Sequence, residues 1–180
     1  LNFVFLPIFL MRLIMNKRFS RAAAVAGGVL LALAAGGAAA AVTVNFVQPD
    51  HYADVPFSPV ERDQVLKDLR AHLEKLGAAL PAGTDLSIDV LDVDLAGTSR
   101  PSAHHPDLRV LKGGADWPQM HLRYTLSRDG KVIKSGNEQL ADMSYLDHVN
   151  RYSSDTRLRY EKQMLDDWFK HTVAPGVAAG

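Results

Sequence analysis

Asp92 and Asp94, two residues apart in LDVDL, are the sharpest candidates for chemistry in the chain. On a strand that spacing projects both carboxylates from one face, about 6–7 Å apart. Such a pair suits a shared cation, or two carboxyls whose pKa values are split. Asp85 and Asp89 continue the acidic run, and a solvated strand face accounts for all four without any ligand. His104 and His105 follow in a Pro-bordered stretch, and with the Asp pair nearby they would suit Zn²⁺ or a similar ion. No H-E-x-x-H or comparable spacing is present, and adjacent side chains in an extended loop point apart. Asp92, Asp94, His104 and His105 are therefore metal-ligand candidates set against a plainer reading, a wet acidic face and a surface loop. No catalytic residue is assigned, and no cofactor is expected.

Other reactive types are weaker still. Arg109, Arg123, Arg157 and Arg159 would hold an anion together if a loop folded over a sheet, but on one helix Arg157 and Arg159 point to different faces. An i, i+4 pairing of Arg157 with Glu161 explains part of the pattern. Trp117 and Trp168 sit among core-type periodicity. Ring binding would need a second exposed aromatic, with Tyr145 or Tyr152 as the candidates. The serines lie outside any G-x-S-x-G elbow. The chain has no Cys, and it contains neither a P-loop nor a G-x-G-x-x-G motif.

All 20 acidic residues lie beyond position 41 and four of the 20 basic ones before it, so residues 42–180 carry 16 Lys and Arg and a net charge of −4. Phosphate neutralisation needs clustered positive charge, so nucleic acid is not an expected partner. The first 41 residues read as an export leader. Met15-Asn16-Lys17-Arg18 opens a basic region, Ala22–Ala35 is a small-residue apolar run, and Ala38-Ala39-Ala40 offers an A-x-A cleavage pattern. The expected start is Met15, with the cut after Ala40 or Ala41. The run is too weakly apolar for a retained span of about 20 residues. With no Cys to carry a lipid, no stable membrane anchor is expected after cleavage. One globular domain over 42–175 and a disordered tail over 176–180 complete the expected layout, in a periplasmic or secreted location.

The elements that must position these residues are readable from their periods. VTVNFV alternates as a strand, and the two Pro residues of QPDHYADVPF exclude regular structure after it. Ser58-Pro59-Val60-Glu61 is a capping box ahead of a helix whose apolar face is Val65, Leu66, Leu69, Leu73 and Leu76, ending near Gly77. In TDLSIDVLDVDL the apolar parity switches between Val90 and Leu91, as a β-bulge would make it. The stretch 96–115 is a long Gly, Ser and Pro-rich loop with a short edge strand over 107–111. Met120, Leu122, Tyr124 and Leu126 then alternate towards an Asp129-Gly130 turn and a returning strand. A two-residue turn puts Leu126 opposite Ile133 and His121 opposite Glu138; a three-residue turn shifts this by one. A last helix spans 156–172, capped by Asp155 and stopped by Pro175-Gly176. The order β-α-β-loop-β-β-α predicts an α+β two-layer sandwich, with a mixed four-stranded sheet and two helices.

The stretches VTVNFVQPDHYADV, LDVDLAG, DWPQMHLRYTL, LADMSYL and LRYEKQMLDDWF, in this order, resemble the bacterial domain-of-unknown-function family 3016. The resemblance covers almost the whole domain beyond the leader. It implies an exported bacterial protein without an assigned activity, and no catalytic residues carry over. The leading functional expectation is a non-catalytic periplasmic binding or interaction module, whose partner is an envelope protein or a small ligand. Its docking place would be the open sheet face near the 96–116 loop. A metal-dependent, hydrolase-like enzyme using the Asp and His cluster is the alternative, and an auxiliary subunit of an envelope transport system is a third.

Overall fold

The computed structural model describes residues 40–100, 102, 104 and 108–179. The expected leader, apart from its last two residues, and His105 lie outside them. Four strands form one sheet: β1 (Ala41–Phe46), β2 (Thr84–Asp94), β5 (Gln119–Arg128) and β6 (Lys131–Ala141), in the order β1-β2-β5-β6. Helix α1 (Pro59–Gly77) connects β1 to β2, which run parallel, while β2, β5 and β6 are antiparallel neighbours. Two short strands, β3 (Thr98–Ser99) and β4 (Arg109–Val110), pair separately inside the long loop. Helix α2 (Arg159–Trp168) and the segment after it cover the sheet beside α1. The architecture is the expected α+β sandwich with a mixed four-stranded sheet.

Alternation decides which face is covered. Leu86, Ile88 and Val90 of β2 and Met120, Leu122, Tyr124 and Leu126 of β5 are buried together, against Val65, Leu69 and Leu73 of α1 and Met164, Leu165 and Trp168 of α2. Trp168 meets Tyr124 edge to face, 5.6 Å between ring centres. The parity switch is real. Leu91 is an extra residue between the pairs Val90–Leu122 and Asp92–His121, so Val93 and Leu95 return to the core while Asp92 and Asp94 stay off it. At the end of α1, Gly77 lies so close to β1 that an added Cβ would collide with a Val42 methyl carbon.

Several local expectations are corrected. Pro59 does open α1, but the Ser58 side chain makes no cap hydrogen bond, so the capping box does not form. The linker after β1 is partly regular, with a 3-10 turn over Pro49–His51 and a parallel bridge between Asp54 and Asp94. Asp129 and Gly130 make the expected two-residue turn, both with positive φ (50° and 78°). A bulge at Ile133 then shifts the partner strand by one. Leu126 faces Lys134, and His121 faces Gln139 rather than Glu138.

The last helix begins three residues later than expected. Its N-cap is Leu158 in the left-handed region (φ 55°), not Asp155. Pro175-Gly176 does not stop it: a π-helical turn over Phe169–Val173 leads into α3 (Ala174–Ala179). The wider turn takes an Ala174 N–H to Phe169 C=O bond, which leaves room for the ring of Pro175 where a regular α-turn would crowd it. Val177 is buried, and residues 176–179 of the segment expected to be a disordered tail are helical.

The two long helices are pinned by polar groups as well as by packing. His72 Nε2 lies 2.9 Å from Asp166 Oδ1 and 3.2 Å from the Lys162 carbonyl. Both neighbours are acceptors, so Nε2 carries the proton. Burial lowers the His72 pKa, against the opposing pull of Asp166, and favours the neutral ring. Tyr152 donates to the other Asp166 oxygen at 2.7 Å.

Leu122 is wholly buried at the centre of the sheet. Leu122→Ala is expected to lower unfolding stability by about 2–5 kcal/mol. Thr43→Ala, on the open face of β1, should change it by less than about 0.5 kcal/mol. Urea unfolding of both variants measures the contrast.

Candidate functional site

The acidic pair of β2 is occupied with backbone and neighbours. Asp92 Oδ1 accepts from the Ala53 N–H at 2.8 Å and from the Val93 N–H at 2.9 Å. Asp94 accepts from Gln119 Nε2 at 3.3 Å. Burial raises the Asp94 pKa, helped by the charges of Asp54 and Asp92 and opposed by Arg109. His104 is exposed. Among the described residues no group of three or more His, Cys, Asp or Glu side chains is placed to hold a metal ion.

The hairpin residues fall on the open sheet face, bonded along it. Arg123 donates to Asp89 at 2.7 Å, Asn45 donates to the same carboxylate at 3.1 Å, and His121 bonds Asn137 at 2.6 Å. The Arg123 hydrogen bond, then that of Asn45, holds the Asp89 carboxyl below the usual range. The aromatic platform does not form either. Tyr145 is buried edge to face against Tyr160, 4.9 Å between ring centres, and Tyr152 packs edge-on against His72.

The residues that converge are others, and Arg109 gathers them. Where β2 ends, the carbonyls of Leu95, Ala96 and Gly97 leave the sheet ladder. The Arg109 guanidinium takes all three, at 2.9, 2.8 and 2.6 Å, and also pairs with Asp54. The loop is thereby folded back: Arg100 N–H bonds the Leu108 carbonyl at 2.8 Å, and Gly97 N–H bonds the Asp116 carbonyl at 2.8 Å. Asp116 in turn accepts from the Lys112 N–H at 2.7 Å and from the Tyr145 hydroxyl at 3.0 Å.

Between this folded loop, the start of α1 and the lead-in to α2 lies a cleft of about 770 Å³. Val65, Leu95, Leu111 and Leu158 give it apolar walls, and Ser99 and Thr156 place hydroxyls on it. Phe57, wholly exposed, stands at its mouth. Glu161 lies at its inner wall, 3% exposed, and its Oε1 accepts the Ala96 N–H at 2.8 Å. Burial raises the Glu161 pKa. The Ala96 hydrogen bond and the nearby Arg109 charge only partly oppose that rise.

The expected Arg157–Glu161 pair is therefore absent. Arg157 precedes the helix, lies 3.5 Å from Asp68, and lines the cleft together with Arg159. Of the four arginines taken as an anion set, the cleft brings together Arg109, Arg157 and Arg159, while Arg123 stays on the open sheet face. Glu161 was missed as a site residue. Its only sequence signal is a carboxylate on the apolar side of the last helix, next to Met164 and Leu165.

Arg109→Leu leaves three carbonyls and Asp54 without their donor, and is expected to cost about 2 kcal/mol. Arg123→Leu, exposed on the sheet, should cost less than about 1 kcal/mol in the same denaturation measurement. For Glu161, the folded protein keeps its proton at pH values where the unfolded chain has released it. The stability this group contributes is complete below its ordinary pKa of 4.5 and is lost as pH rises through the folded value. Glu161→Gln removes that titration. The Tm of the parent relative to this variant should fall as pH is raised from about 4 to 7; a difference independent of pH would rule out the raised carboxyl.

Comparison with known proteins adds a family and little else. No curated protein matches the sequence significantly. The crystal structure of protein XCC0632 from Xanthomonas campestris, of the family DUF330, is similar at a TM-score of 0.34 and 16% identity, over 77% of this chain and 82% of that one. A likeness that low carries no argument. Residues 40–171 match the family described as "Protein of unknown function (DUF3016)", and with that match over most of its length the chain belongs to the DUF3016 family.

Proposed function

We propose that this protein is an exported, non-catalytic binding module of the periplasm, and that its ligand seat is the cleft beside Glu161 and Arg109. The observation that carries the reading is the cleft's construction. It has the size of a small-molecule site, within the range of about 300–1,000 Å³. Its walls are mainly apolar, and a few polar groups are fixed by the Arg109 clamp. The leader-like residues 15–41 support export. The metal-enzyme alternative draws no such support, since Asp92 is bonded to backbone N–H groups and His104 is exposed.

The test is native mass spectrometry of the protein isolated from the periplasmic fraction of cells expressing the full chain. The expected result is a polypeptide beginning at Ala41 or Val42 and carrying a bound molecule of small mass. That molecule should be lost in Ser99→Trp, which crowds the rim of the cleft. A cytoplasmic chain with an intact leader would overturn the export reading, and a ligand retained in Ser99→Trp would move the seat elsewhere.

A further inference from the structure

Two of the arginines that line the cleft are only weakly engaged. The carboxylates beside it are largely committed: Glu161 to the Ala96 N–H, Asp54 to Arg109, and Asp155 to the Ser154 hydroxyl at 2.9 Å. Arg109 directs its Nε and Nη2 at three carbonyls and Asp54. Arg159 differs. It lines the cleft with its guanidinium carbon 5.1 Å from the centre of the Tyr160 ring, and its Nε is buried with no hydrogen-bond partner. Arg157 beside it is half exposed and has only the long contact to Asp68. A guanidinium held on an aromatic face beside a second, weakly engaged arginine suits a planar oxyanion, which accepts two parallel hydrogen bonds from such a fork.

The rest of the cleft says what the anion is attached to. Val65, Leu95 and Leu158 form an apolar surface beside the arginines, and Phe57 stands fully in water at the mouth. A free phosphate or acetate would use the arginines and leave that surface wet. A wholly apolar ligand would leave the two cleft arginines without an anionic partner. Glu61 lies on the opposite wall, in the first turn of α1 where the positive end of the helix favours its charge. The anion therefore belongs on the α2 side.

We propose that the cleft binds a small amphipathic anion, with a carboxylate gripped by Arg159 and steered by Arg157, and an apolar body laid on Val65, Leu95 and Leu158 beneath Phe57. This rests on the reading of the cleft as the ligand seat, and it names the class of ligand.

Phe57→Trp supplies an optical reporter at a position that packs against nothing. Protein purified from cells expressing the full chain would be titrated with decanoate, decanol, decyltrimethylammonium and acetate, all below micelle-forming concentrations. Decanoate is expected to bind saturably, with a blue shift of the new Trp and at least tenfold more tightly than decanol or the cationic compound. Acetate should not bind in the same range. Arg159→Gln should weaken decanoate at least tenfold and leave decanol unchanged, which also shows that the variant is folded. Equal binding of the three decyl compounds, or preference for the cation, would overturn the anion assignment while the cleft remained a ligand site. Failure of all three to bind would overturn the proposal. The reading of the cleft as a seat is decided separately, by the molecule that co-purifies.

Discussion

Beyond Asp94 the second strand has run out of sheet, and the carbonyls of Leu95, Ala96 and Gly97 need donors that no neighbouring strand supplies. One side chain, Arg109, provides them from thirteen residues past Ala96, and it also pairs with Asp54 in the linker after β1. Backbone groups buried without partners are costly. The clamp therefore determines whether the chain after β2 folds back on the molecule or leaves it. With the chain folded back, β3 and β4 pair, Asp116 ties the far end of the loop to Tyr145, and the cleft gains one of its walls.

Glu161 completes this arrangement at a thermodynamic cost. It satisfies the Ala96 N–H, the donor in the same turn whose carbonyl Arg109 takes, so the turn is held from both sides by α2 and β4. Arg109 stands near enough to pull on the Glu161 charge yet forms no ion pair with it, and desolvation prevails. The result is a carboxyl with a raised pKa in a cleft whose lining also carries Arg157 and Arg159.

How much of this is legible in the sequence follows the range of each interaction. The covered face of the sheet, the bulge at Leu91 and the Asp129-Gly130 turn are written in neighbouring residues, because the period of two and the turn chemistry are local. The bulge at Ile133 has no local mark, and it moves His121 from Glu138 to Gln139. Asp155 is a better cap than Leu158 by propensity, and Pro175-Gly176 a better stop than a passage. Both expectations fail where tertiary packing of Leu158, Val173 and Val177 outweighs local preference. The candidate site was the least legible. Asp92, Asp94, His104 and His105 are neighbours in sequence, whereas the cleft is made by contacts such as Arg109 to Asp54 and Ala96 to Glu161, 55 and 65 positions apart.

The turn after β2 is a fixed structure held by Arg109 and Glu161, with the cleft as its consequence. Amide hydrogen exchange at Ala96, followed by NMR, tests it most directly. Ala96 is expected to be protected nearly as strongly as the core of β2, and to lose that protection in Arg109→Leu while Ile88 and Leu122 keep theirs. Exchange of the Ala96 amide at the rate of an open loop in the parent protein would contradict it.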